Sequence, residues 1–150
     1  VIGSQVFEYK RDIIKYKFMK SVKQIRLWSN AFFLIPAFLA FAYHIYWYSL
    51  IISLVFTISS YFHFSKEKKL EYVDITSSSL LMISNFTLLI QGHWMLPFSI
   101  LALSCAAIAL GFYYRQFKKG YNLNHGIWHI FSAATSYFCV MTLLRFSGLL

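Results

Sequence analysis

Charge is nearly absent from three long stretches of this sequence, and that scarcity excludes a soluble globular fold. No Asp, Glu, Lys or Arg occurs in residues 27–65, a run of 39 positions, or in residues 75–114, a run of 40. A third uncharged run, Tyr121 to Leu144, covers 24 positions. Over 150 residues, 13% are charged and 59% apolar, with a mean hydropathy of +0.57. Soluble domains carry about 25% charged residues. A crossing helix needs roughly 20 apolar residues, so each of the two longer runs fits two crossings and the last fits one. The expectation is an all-α integral membrane bundle of five spans, near 27–44, 47–64, 74–91, 95–114 and 125–144. The apolar runs are continuous and do not alternate every second residue, which excludes a transmembrane β-barrel.

Other scarcities narrow the reading. The two cysteines, Cys105 and Cys139, lack metal-ligand spacing and read as small buried residues. There are two prolines. Pro36 falls inside the first span and is expected to kink it. Pro97 is expected in the first turn of span four, where its missing N–H is harmless. No repeat, low-complexity tract or soluble domain is present, and the longest loops, about ten residues, are too short to fold alone. The turns inside the long runs fall at the aromatic stretch Tyr43 to Tyr48 and at Gln91-Gly92-His93-Trp94, since Tyr and Trp favour the membrane boundary.

The charge that is present is mostly basic and unevenly placed. Seven basic residues precede span one: Lys10, Arg11, Lys15, Lys17, Lys20, Lys23 and Arg26. Lys66, Lys68 and Lys69 lie between spans two and three, and Arg115, Lys118 and Lys119 between spans four and five. Five spans put all of these on one side and leave only Arg145 opposite. The positive-inside rule assigns that side to the cytosol or the mitochondrial matrix, in an intracellular membrane such as endoplasmic reticulum, Golgi or mitochondrial inner membrane. The net charge of +9 is therefore read as contact with anionic lipid headgroups and not with nucleic acid. Residues 1–26 place Phe7, Ile14, Phe18, Val22 and Ile25 at mostly helical spacing, which predicts a basic interfacial helix ahead of the membrane domain at 27–150. No signal-peptide layout is present, and a start at Val1 rather than Met is expected of a processed or truncated product.

Chemistry inside the membrane is concentrated at the basic end. Ser59 and His63, four apart, share a face near the end of span two. Asp74 opens span three. His125 and His129, again four apart, open span five. Three imidazoles from two helices, with a carboxylate nearby, suit a three-histidine zinc site with one open position. A water there would be acidified toward hydroxide, with Asp74 orienting it or taking its proton and Ser59 bonding a substrate carbonyl. Duller readings exist for each residue. Asp74 suits a helix N-cap, Ser59 beside Ser60 suits a helix contact, and His125 suits the interface. His44 and His93 fall in the opposite turns and read as interfacial, not as ligands.

The set Ser59-x-x-x-His63, Asp74 and His125-x-x-x-His129 resembles the CREST superfamily of membrane hydrolases, which includes alkaline ceramidases, adiponectin-receptor-like proteins and the transmembrane-eight branch. The eleven-residue step from His63 to Asp74 is most similar to the ceramidases, and His125-Gly-Ile-Trp-His129 to the transmembrane-eight branch. The resemblance spans about residues 27–144. It implies a seven-helix fold, one zinc per chain on His63, His125 and His129, and hydrolysis of lipid amides or esters with Asp74 and Ser59 assisting. Two of the seven helices have no counterpart here. Losing an even number keeps the His pair on the same side, so the metal site is expected to persist even where the lipid cavity does not. Two functions follow. One is a zinc-dependent lipid amidase or acyl hydrolase, with a cavity expected among Phe86, Leu89, Ile108, Phe131 and Phe138. The other is a non-catalytic subunit of a larger membrane complex, such as a mitochondrial one, retaining the metal site. A receptor reading is weaker, since no extramembrane ligand-binding domain is present.

Overall fold

The computed structural model describes Ile25 and residues 28–65, 68–118 and 120–150. Of the expected interfacial helix over 1–26, only Ile25 is within that range, and it is helical. The described residues form an all-α bundle. We label its helices α1 (Trp28–Ala42), α2 (Tyr46–Ser65), α3 (Lys68–Gln91), α4 (Phe98–Gln116) and α5 (Tyr121–Phe146). Four of them, α2 to α5, are long and apolar enough to cross a membrane.

The first expected span is the exception. As described, α1 is shorter than a crossing and contains a 3-10 turn at Ala31–Phe33 between helical residues 28–30 and its longer α-helical part, Leu34–Ala42. Pro36 lies in the first turn of that α-helical part, where it cannot donate the bond to the carbonyl four residues back. The helix thus changes type just before Pro36.

Boundaries elsewhere follow propensity rather than charge. The stretch Lys68-Lys-Leu-Glu71 is made of good helix formers and is already helical, so Asp74 lies inside α3 with helical residues before it. Asp74 is therefore not an N-cap. Helix α4 starts at Phe98 with Pro97 as its N-cap, after a cis Leu96–Pro97 bond, one position earlier than the first-turn placement expected of it.

Both turns at the opposite end use a histidine as a left-handed helix terminator. At the end of α1, His44 has φ 63°, its N–H bonds Phe41 O at 3.0 Å, and the Ile45 N–H bonds Ala40 O at 2.8 Å. At the end of α3, His93 has φ 48°, its N–H bonds Ile90 O, and the Trp94 N–H bonds Leu89 O, both at 3.0 Å. This is the paired 6→1 and 5→2 closure usually built on glycine. Both side chains are exposed, with His44 against the Tyr46 hydroxyl and His93 stacked on Phe146. They terminate helices at the far end of the bundle and take no part in a ligand set.

Packing closes a ring. Helix α1 packs on α2, α2 on α3, α3 on α5 and α5 back on α1, while α4 packs along α5. The share of buried residues, 44% in α5 against 17% in α4, makes α5 the central helix and α4 a peripheral one. The interior is more polar than the outside. The buried face of α5 runs His125, His129, Ala133, Ser136, Val140, Leu144. That of α2 runs Tyr48, Ile52, Val55, Ser59, His63, and that of α3 includes Asp74, Ser77, Leu81, Ser84, Asn85 and Leu88. Outside stand Phe38, Leu50, Ile83, Ile90, Ile100 and Leu103. Such a surface suits lipid, where helix association comes from close packing and polar contacts rather than from burying apolar area.

Candidate metal centre

Helical spacing assembles the site. His63 is in the last turn of α2 with Ser59 one turn before it, and His125 and His129 share a face in the first three turns of α5. The α2 C-terminus and the α5 N-terminus meet, and all three imidazoles are buried. His63 Nε2 lies 2.9 Å from His125 Nε2 and 3.0 Å from His129 Nε2. The three rings are mutually close to perpendicular, at 85°, 75° and 86°. They therefore meet edge to edge, with one nitrogen of each at a common point.

Three imidazole nitrogens so close are hard to satisfy with protons alone. One N–H on His63 can be aimed along only one of its two Nε2 contacts at a time. A single cation accepts lone pairs from all three. Tetrahedral zinc binds imidazole at about 2.0–2.1 Å, which sets its nitrogens about 3.3 Å apart. The trio is tighter than that by on the order of 0.3 Å, a difference that small side-chain rotations cover. Among the described residues, His63, His125 and His129 form a buried group able to hold a metal ion, their ligand atoms all within 4.8 Å of one another.

The two residues expected to assist fall at the same end. Ser59 is 1% exposed and its Oγ lies 3.4 Å from His63 Nε2. Its neighbour Ser60 makes a helix contact, accepting from Asn30 Nδ2 on α1 at 3.4 Å. Asp74 is buried on α3, in the same half of the bundle. His125, at 4% exposure, is enclosed by the bundle.

Several residues around the site and along the core were not singled out by the sequence. Gln116, the last residue of α4, is buried and accepts a 2.6 Å hydrogen bond from His125 Nδ1 at its Oε1. Phe33 of α1 meets His129 edge-on, with ring centroids 6.0 Å apart. Gly126 makes room for Ile25 and Ser29: a Cβ there would meet Ile25 Cγ2 at 2.9 Å and Ser29 Oγ at 3.5 Å. Nearer the other end, Tyr48 OH donates to Asn85 Oδ1, which also accepts from Ser136 Oγ at 3.2 Å. Asn85 had a usable signal, being an amide in the middle of an uncharged run. Gln116 had less, since amides are common where a span ends.

The five aromatic and aliphatic residues expected to line a lipid cavity do not share one surface. Phe86 and Ile108 are exposed on the outside, Leu89 is in the core, and Phe131 and Phe138 are half-buried. Cys105 and Cys139 are free, the latter buried. No family model, curated protein or solved structure matches this chain.

Proposed function

We propose that this chain is a zinc-dependent membrane hydrolase of lipid amide or ester bonds. The observation that carries the reading is the convergence of three buried Nε2 atoms at 2.9 and 3.0 Å, with Ser59 at their edge. His63, His125 and His129 are the assigned ligands. A zinc ion bound there would supply a Lewis acid and an acidified water, the chemistry that acyl hydrolysis needs. Asp74 is assigned the proton that the attacking water gives up, and Ser59 the substrate carbonyl. The resemblance to the CREST superfamily rests on these same five residues and supports the assignment. The substrate class is membrane lipid, since the site is enclosed by helices whose outer faces are apolar. The bias of basic residues supports an orientation with the metal end toward the cytosol or matrix of an intracellular membrane.

The alternative is a non-catalytic subunit of a larger membrane complex that keeps its metal. One observation favours it: α4 packs along α5 and leaves most of its apolar surface uncovered, as a helix does that meets other proteins. Elemental analysis of purified protein, followed by a hydrolysis panel of lipid amides and esters, separates the two. One zinc per chain with turnover supports the hydrolase. Zinc-loaded protein inert across the panel moves the assignment to the structural subunit, and protein with no retained metal overturns both.

A further inference from the structure

We infer that Gln116 is the positioning residue of the metal centre: by accepting the Nδ1 proton of His125 it forces the Nε2 lone pair toward His63 and His129. The inference rests on the metal-centre reading above and adds a residue from a different helix. His125 Nδ1 and Gln116 Oε1 are 2.6 Å apart, and the two residues are 4% and 5% exposed. A neutral imidazole carries one N–H, and the partner of one nitrogen decides the role of the other. With a carbonyl oxygen against Nδ1, the proton must be there, which leaves Nε2 as the lone pair facing the other two rings.

The sense of this bond distinguishes a ligand trio from a hydrogen-bonded one. Were the amide reversed, with its NH2 donating to Nδ1, the proton would move to Nε2 and point at His63. Nε2 could not then bind a cation. The structure holds Oε1 in that place. Metal-binding histidines are commonly fixed in this way by a carbonyl or carboxylate on the far nitrogen. Gln116 also ends α4, a helix whose packing is otherwise along α5, so this bond joins the peripheral helix to the site.

The test is titration of the purified full chain with Co(II) alone in detergent, read by the visible absorption of tetrahedral cobalt, followed by zinc displacement. Gln116→Leu keeps the volume and removes the acceptor. Gln116→Glu keeps an acceptor. We expect Gln116→Leu to weaken cobalt binding by about 10- to 100-fold, and Gln116→Glu, which keeps an acceptor, to lose less than about 10-fold. A packing role predicts the reverse order, and Gln116→Leu binding as tightly as wild type overturns the inference while leaving the metal centre intact. Wild type that binds no cobalt or zinc overturns both. Should Gln116→Leu fail to fold, 15N-histidine spectra of metal-free wild type decide. A proton on His125 Nδ1 sustains the inference, and a proton on Nε2 overturns it.

Discussion

A methyl group added at Gly92 should destabilise the bundle while leaving the metal centre unchanged. Gly92 follows α3, and a Cβ there would lie 2.9 Å from Leu143 N, Thr142 C and Thr142 Cγ2. Two of those atoms are backbone of α5 and cannot rotate away. Ordinary Cβ contacts are about 3.4–4 Å, so the end of α3 and the body of α5 must part by on the order of 0.5 Å, opening one seam of the ring and loosening its packing. Overpacking of this kind costs about 1–3 kcal/mol. Gly92 is not in the left-handed region and lies just past the end of α3, so alanine brings neither backbone strain nor a helix-propensity gain. The net loss is about 1–3 kcal/mol, or roughly 2–12 °C in Tm for a chain of this size. Gly111 is the control. It lies within α4 with nothing within 4 Å of a Cβ, so Gly111→Ala should stabilise by about 0.8–1 kcal/mol. Thermal unfolding in one detergent compares the pair, and cobalt titration checks the site, which lies some eighteen residues of α3, about 27 Å, away. Shifts of the same sign in both variants would refute the close approach of α3 and α5.

Four further outcomes are expected. His63→Ala, His125→Ala and His129→Ala should each cut retained zinc from one per chain to a minor fraction, read by elemental analysis, because two imidazoles leave two of four positions unfilled. Asp74→Ala should abolish lipid hydrolysis while most zinc stays bound, since Asp74 is assigned to the water rather than to the metal. Loss of zinc along with activity would instead make it a ligand. Metal affinity should weaken under acidic conditions, because a protonated imidazole has no lone pair to give a metal; pH-independent binding would exclude a histidine site. Tyr48→Phe should cost about 0.6–1.7 kcal/mol, the range for polar contacts between membrane helices, and leave cobalt spectra unchanged.

Much of the architecture could be read from where charge is missing, and the errors show what that signal measures. Uncharged runs mark the hydrocarbon, not the helix. That is why α3 is already helical at Lys68, ahead of Asp74, and why the N-cap explanation of Asp74 does not hold. Hydropathy was also silent on which helix is central. In lipid every outer face is apolar, so Leu and Ile do not say which way a helix turns, and the peripheral position of α4 had no signature. Polar residues carry that information instead. Ser59 and His63, and His125 and His129, announced their faces because four-residue spacing on a helix is unambiguous. Gln116 did not, because its meaning depends on the α4–α5 turn bringing it back over His125. Phe86 and Ile108 were assigned to a cavity on membership of a span alone, and membership says nothing about direction.

The interior separates two polar centres, and the separation bears on what each is for. On α2 the order is His63, Ser59, then Val55 and Ile52, then Tyr48. On α3 it is Asp74, Ser77, then Leu81, then Asn85, and on α5 His125, His129, then Ala133, then Ser136. Each helix thus passes from polar to apolar to polar at matching depths. The Tyr48–Asn85–Ser136 group takes one side chain from each of three helices, and its Asn85 oxygen already accepts two hydroxyl donors. A contact of that kind fixes the register of helices that lipid would otherwise let slide. The histidine group is different in kind. Its 2.9 and 3.0 Å nitrogen contacts can be bridged by a proton or by a cation, and the tyrosine group has no comparable set of nitrogens. The register contact and the candidate metal site therefore occupy opposite halves of the same four-helix ring, and substitutions in one half should be silent in the assay for the other.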